Sequence, residues 1–231
     1  RSANSLSLIN AHDTGAEDCA EALIYVEVDR RDNEAELKEI SENLSKTLAS
    51  VGLTVADYPA MLAEVNNIQA SLDAGEMCAC DDHERVEAIK FLAWLAENSF
   101  TFLAYVEYDI IDIDGRPHLV RIDDSRLGLF KAGFNSIPSI AMADLPEHVT
   151  NHILNPSLFL FAKSSQRSPV HRPAHADYVV VKRFDENGKV VGERRFLGLY
   201  TARVFNESPI NIPFIRKKVE AARTLSGFDP R

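Results

Sequence analysis

Asp177-Tyr178-Val179-Val180-Val181-Lys182-Arg183-Phe184 and Val190-Val191-Gly192-Glu193-Arg194-Arg195-Phe196-Leu197-Gly198-Leu199-Tyr200-Thr201 flank Asn187-Gly188, and this stretch decides the fold. β-Branched and aromatic residues on both sides of a turn dipeptide read as two antiparallel strands joined by a hairpin. Working outward, Phe100-Thr101-Phe102-Leu103-Ala104-Tyr105-Val106-Glu107-Tyr108-Asp109 is a third strand, and Asp114-Gly115 turns it into His118–Ile122. Leu158–Ala162 is a short buried strand. Pro213, or Pro209 a turn earlier, opens a closing helix with Ile215, Val219, Ala222 and Leu225 on one side and Gly227 as its stop. Hairpin-joined strands with helices at the ends make residues 99–231 an α+β domain, an antiparallel sheet with helices on one face.

Toward the N-terminus the period changes. Residues 1–21 are small and polar without a period, and read as a flexible segment. Ala22–Asp29 reads as a strand. Three helices follow in residues 22–98. The first is capped by Asn33-x-x-Glu36, carries Leu37, Ile40, Leu44, Leu48 and Val51, and stops at Gly52. The second starts near Thr54, capped against Asp57, with Tyr58, Met61, Leu62, Val65, Ile68 and Leu72 on one face. The third starts at Asp81-x-x-Glu84 and buries Val86, Ile89, Leu92, Ala93 and Leu95. Trp94 and the aromatic run from Phe100 to Tyr108 read as core.

Charge is distributed unevenly. Residues 1–98 hold 7 basic and 20 acidic side chains, 99–162 hold 4 and 8, and 163–231 hold 14 and 7. The total of −10 argues against a nucleic-acid binder, which needs a basic footprint. With 45% hydrophobic and 26% charged residues the chain reads as an ordinary soluble protein. No run approaches the roughly 20 apolar residues of a membrane span, and the start lacks the apolar core of a signal peptide. A start at Arg1 instead of Met reads as a piece of a longer chain. Cys19, Cys78 and Cys80 are an odd, sparse set that suits a reducing compartment.

Catalytic signatures are missing. No two glycines stand two apart, so the G-x-G-x-x-G dinucleotide fingerprint is absent. Gly128 and Gly133 have the spacing of a phosphate loop, but Phe134 and Asn135 replace its Lys and Ser/Thr. H-E-x-x-H, G-x-S-x-G and C-x-x-C do not occur. Cys78-Ala79-Cys80 with His83 is too tight for chelation by both thiols and reads as a loop with incidental thiols. His148 and His152 lack a third ligand. No catalytic, cofactor or metal residue is therefore assigned. The richest cluster is Arg167-Ser168-Pro169-Val170-His171-Arg172-Pro173, joined by Lys182, Arg183, Arg194 and Arg195 from the hairpin. Forked arginine donors suit a carboxylate or an acidic surface. The competing reading is a loop held by Arg–Asp pairs beside solvated strand faces, with Lys182 and Arg183 on opposite sides.

Five segments together resemble one family. They are Phe100–Asp109, Arg126-Leu127-Gly128-Leu129, Ser168–Pro173, Asp177–Thr201 and Ile212-Pro213-Phe214-Ile215-Arg216-Lys217-Lys218-Val219. They resemble the N-terminal, non-catalytic region of the large bacterial NAD-specific glutamate dehydrogenases. Ala104, Val106, Pro169, His175 and Ala176 depart from that family's usual residues. The resemblance implies the end of a first ACT-like domain in residues 22–98 and a second ACT-like domain in 99–231. It implies a cytoplasmic regulatory or assembly part of an oxidoreductase that converts L-glutamate and NAD+ to 2-oxoglutarate, ammonium and NADH. NAD would belong to the parent enzyme and not to this segment. Partners would be other domains and subunits of that enzyme in a homo-oligomer, and an amino-acid effector, with no nucleic acid and no membrane. Arg167, His171, Arg172 and Arg195 are the ligand or interface candidates. The alternatives are a pure oligomerisation scaffold and a stand-alone amino-acid-sensing module.

Overall fold

The computed structural model describes residues 24–75, 80–134 and 137–227. The expectations for residues 1–21, and those resting on Cys19, Cys78 and Asn135, lie outside them. Compactness divides the chain into Arg1–Ser41 and Glu42–Arg231.

In the first unit, residues 24–33 have no regular structure, which corrects the expected strand over 22–29 where it is described. Ile24, Tyr25, Val26 and Val28 are all exposed. A strand is held by ladder bonds to a neighbour, and no strand of the described residues pairs with this one. Asn33 does cap a helix, accepting the Ala35 N–H at 2.9 Å. That helix, α1, runs Glu34–Asp73 without a break, where two helices were expected. Gly52 does not stop it. Thr54 does not act as a cap but donates back to the Ser50 carbonyl at 2.9 Å, and Pro59 sits in the interior. A mid-helix glycine costs about 1 kcal/mol and a proline about 3. Met61, Val65, Ile68 and Leu72 offset this by burying the second half of α1 against the sheet. The expected apolar stripe Leu37, Ile40, Leu44, Leu48 and Val51 is real in spacing but exposed.

Within the second unit, Asp81 caps α2 (Asp82–Trp94) through the Glu84 N–H, as the sequence predicts. Its buried face is Glu87, Ala88, Phe91, Leu92 and Trp94, with Val86 turned outward. Asn98 adopts a left-handed φ of 67° in the wide turn that follows. That turn leads to β1 (Phe100–Ile113), followed by β2 (Arg116–Gly128), β3 (Ser139–Ala141), α3 (Glu147–Leu154), β4 (Phe159–Arg167), β5 (His175–Phe184) and β6 (Val190–Tyr200). The chain ends in α4 (Ala202–Asn206) and α5 (Ile215–Ser226), the latter closed by left-handed Gly227. Leu225 of its expected stripe is exposed. The fold is α+β, with one antiparallel sheet in the order β3-β2-β1-β6-β5-β4. β3 and α3 carry no strong sequence signal: each is short and held from outside.

Both hairpins form. At Asp114-Gly115 both residues have positive φ, as a two-residue turn requires. The second differs in detail: Asp185 N–H bonds the Lys189 carbonyl and the Asp185 carboxylate accepts from the Asn187 and Lys189 N–H groups, so three residues form the loop.

Helices flank both faces of the sheet, where one covered face was expected. On the first face α1 and α2 meet Phe100, Phe102, Tyr105, Val179, Val181 and Phe196. Phe91 is the hub, with ring centroids 5.3 Å from Phe159, 5.7 Å from Phe161 and Trp94, and 6.1 Å from Phe214. On the second face Ile153 of α3 meets Leu103, Ala104, Val106, Tyr108, Leu197 and Leu199. β1 serves both because of a bulge: its register to β6 shifts between Phe102 and Ala104, putting Leu103 and Ala104 on the same side. The bulge carbonyl of Leu103 accepts the Leu129 N–H at 3.0 Å, and Gly128, at φ 59°, passes so close that any Cβ would overlap that carbonyl. Asp57 of α1 closes this corner, accepting from Gly128 N–H and Lys131 Nζ, each at 2.8 Å. Burial raises the Asp57 pKa, but those two donors outweigh it and hold the carboxyl below its ordinary value.

Candidate functional site

The loop from Arg167 to His175 is a small built structure. Ser168 is buried; its N–H bonds the Ala174 carbonyl at 2.9 Å and its hydroxyl donates to the Val170 carbonyl at 2.8 Å. Arg172 N–H returns to the same carbonyl at 2.9 Å, which forces His171 to a φ of 68°. A three-residue turn of this hand is strained for a residue with a Cβ. It presents His171 to an apolar groove of about 460 Å³, whose other walls include Val51, Val55, Tyr58 and Phe102. Arg172 turns away from the groove. Its Nη2 donates to the Tyr200 carbonyl at 2.7 Å and its guanidinium lies 5.9 Å from the Phe205 ring. Arg167 is exposed at the end of β4, opposite His175.

Arg195 lies elsewhere, five residues along β6 from Tyr200. It sits on the second face, 4.3 Å above the Tyr108 ring, and its Nε and Nη2 both bond one oxygen of Glu193. Residues two apart on a strand share a face, so this pairing follows from the register. Glu193 is 1% exposed, and its other carboxylate oxygen is buried without a hydrogen-bond partner among the described residues. Directly across on β5 stands Lys182, also buried. Its ammonium donates to the His152 and Asn155 carbonyls at 2.5 Å each, fastening the C-terminal end of α3. Burial lowers the Lys182 pKa, with Glu193 pulling it back up. A cavity of about 370 Å³ opens beside these groups, lined by Val149, His152 and Ile153 of α3, Leu160, Val180, Glu193 and Arg195.

Arg183 and Arg194 emerge on the first face instead, so Lys182 and Arg183 do point to opposite sides. Arg183 donates to the Tyr108 carbonyl at 2.9 Å and pairs with Asp109, and Arg194 lies 3.7 Å from Glu107. Gly192 is what lets Arg183 cross β6, because a Cβ there would overlap its guanidinium. Tyr105 donates to Glu107 at 2.8 Å, and burial together with that carboxylate pushes its phenol pKa far up.

The sequence candidates therefore divide: Arg167, His171 and Arg172 share one loop, and Arg195 belongs to a second site. Sequence reasoning passed over Glu193, although its spacing of two from Arg195 places both on one face. It also treated Lys182 as a solvated strand charge, although three valines before it signal burial. Cys80 is disulfide-bonded, against the reading of incidental thiols, and its partner lies outside the described residues. His148 and His152 both lie on α3. Arg172, Arg183 and Arg195 are all committed to carbonyls or carboxylates of the chain itself.

No protein-family model matches the chain. Among curated proteins it is 39% identical over 219 residues to the NAD-specific glutamate dehydrogenase of Halomonas elongata, a match covering 95% of this chain and 14% of that protein. It is 35% identical over 214 residues to the NAD-specific glutamate dehydrogenase of Pseudomonas aeruginosa, covering 91% and 13%. The Mycobacterium tuberculosis protein of the same name is 23% identical over 210 residues. The resemblance read from the sequence holds along nearly the whole chain, which spans about one seventh of the length of these relatives. No helix among the described residues is long and apolar enough to cross a membrane.

Proposed function

We propose that this chain is a non-catalytic part of an NAD-specific glutamate dehydrogenase, serving its regulation or assembly. The observation that carries this reading is identity of 39% and 35% over more than nine-tenths of the chain to one stretch of two such enzymes. The parent protein would oxidise L-glutamate in the cytoplasm, and its NAD would be held by residues outside 1–231. The sheet would act as an ACT-like module, a label that rests on resemblance of fold and not on chemistry. Arg172, held by the Tyr200 carbonyl, and the exposed Arg167 at the start of the same loop support a role in meeting an effector or a neighbouring domain. The test is glutamate-dependent NADH formation, followed by absorbance. The purified chain alone is expected to form none, and turnover by the chain alone overturns the reading.

A second reading, a pure oligomerisation scaffold, draws on the exposed stripe Leu44, Leu48, Val51 and Val55 and on the split between an acidic N-terminal and a basic C-terminal part. It expects self-association. Sedimentation in low and high salt separates a charge-held contact, which weakens with salt, from an apolar one, which persists. A monomer under both conditions removes the scaffold reading.

A further inference from the structure

The helix α5 is fastened at its start and bare along its length. Phe214, the residue before it, sets its ring 6.1 Å from Phe91 and 4.8 Å from Phe159. The Phe214 N–H and the Arg216 guanidinium both bond the buried carboxylate of Glu87. Past that anchor no residue of α5 is buried, and Leu225 is 89% exposed. A surface helix ordinarily turns its apolar stripe onto the core. Here the stripe lies open. Val219, Ala222 and Ser226 stand three and four apart and so form one line. That line is the floor of a depression of about 510 Å³, which Lys218 and Arg223 also border. At 3.6 residues per turn the two cations fall on opposite sides of the line, and Glu220, the one acid of α5, falls behind it.

The other charges of the helix are already engaged. Arg216 is held by Glu87 and also interacts with Glu220, and Lys217 interacts with Asp81 of the α2 cap. Lys218, its ammonium 5.6 Å from the Phe214 ring, and Arg223 have no ion-pair partner among the described residues. An apolar line between two uncommitted cations is the complement of an apolar line between two anions. One leucine, one valine and one alanine, with no aromatic ring beside them, are too little apolar surface to enter a bilayer. They do suit the stripe of another helix. We propose that α5 is a docking helix for an acidic amphipathic helix of a protein partner. That helix would lay its apolar stripe on Val219, Ala222 and Leu225, and its carboxylates on Lys218 and Arg223. This deepens the assembly reading by naming the partner's chemistry, and rests on that reading for purpose but not for evidence.

The test is fluorescence anisotropy with two labelled synthetic helices of about 18 residues, long enough to stay helical when bound. They share one leucine stripe and carry either glutamate or glutamine beside it. The chain has a net charge of −10, so long-range attraction does not hold the acidic peptide and its binding has to be local. The glutamate peptide is expected to bind roughly tenfold or more tightly than the glutamine one. Leu225→Ser, and Lys218→Glu combined with Arg223→Glu, should each weaken it by a similar factor. None of these side chains is buried, so the thermal midpoint should stay native. Equal binding of both peptides, binding of neither, or binding that the substitutions leave unchanged overturns the proposal. Co-sedimentation with phosphatidylglycerol vesicles that the same substitutions abolish also overturns it, and makes α5 a membrane contact instead. The sedimentation test of the scaffold reading fails or passes separately, since a monomeric chain can still bind the peptide.

Discussion

The two faces of the sheet are built on different principles. The first is closed by α1, α2 and the segment before α5 around a buried aromatic cluster centred on Phe91. Its strand charges, Glu107, Arg183 and Arg194, stay at the margin and pair with one another, and the buried Glu87 of α2 is matched by Arg216 and the Phe214 N–H. The second face has one short helix, and it buries Lys182 and Glu193 in the interior. Burying a charge costs several kcal/mol unless its partners are well placed. The first face thus supplies stability, and the second gives some of it up to a polar interior. The apolar side of the cavity and the mid-sheet position of Glu193 are the physical trace of that difference.

The contrast is most exposed to challenge at the hub. Phe91→Ala should destabilise the chain by about 4 kcal/mol in urea unfolding, because a fully buried ring leaves a cavity bounded by four other aromatics. A loss below about 1 kcal/mol would mean that the first face is not the stabilising one. Gly128→Ala comes next, at about 3 kcal/mol: it combines an unfavourable φ with overlap at the Leu103 bulge, the feature that lets β1 serve both faces. Near-neutral unfolding would show that the corner relaxes.

On the second face the expected losses shrink. Lys182→Met keeps the length and removes the ammonium, and should cost about 1–2 kcal/mol while loosening α3 first. Hydrogen exchange should quicken in residues 147–154 and remain native around Phe91; uniform quickening would erase the distinction between the faces.

A pH experiment sharpens the first face. The Glu87 carboxylate accepts from Arg216 at 2.6 and 2.7 Å and from the Phe214 N–H at 3.1 Å. Those bonds, the Arg216 ones foremost, hold its pKa at about 2 against an ordinary 4.5. The folded state therefore resists protonation more than the unfolded one. The stabilisation is complete above pH 4.5 and is lost as pH falls toward 2. Glu87→Gln should flatten this part of the stability–pH curve, and an unchanged slope would remove Glu87 as its source. The smallest effect is expected at Leu48→Lys, less than about 0.5 kcal/mol, because that side chain is already 54% exposed. If the scaffold reading is right, the same change breaks self-association instead.

The relation between legible and illegible features follows the range of the forces. Asn33 and Asp81 were readable as caps because capping is settled within three residues. Asp114-Gly115 and Asn187-Gly188 were readable as turns for the same reason. Gly52 misled, since helix termination there competes with burial of Met61 and Val65, and burial is a tertiary quantity. The strand at 22–29 misled because β propensity without a ladder partner stabilises little. Of the candidate site, the loop from Arg167 to Arg172 was visible as a cluster of charges. Its assignment of Arg172 to the Tyr200 carbonyl was not, because the two are brought together only by the return of β6.

By itself, then, the order of residues determined the α+β class, the five longer strands between Phe100 and Tyr200, both hairpins and the likeness to NAD-specific glutamate dehydrogenases. These depend on local pattern and on word-for-word similarity. Only the tertiary structure decided that α1 is one helix, that both faces are covered, and that Glu193 and Lys182 meet beneath α3. Those outcomes rest on contacts between residues far apart in the chain, where neither propensity nor spacing specifies which side chains will exclude water together.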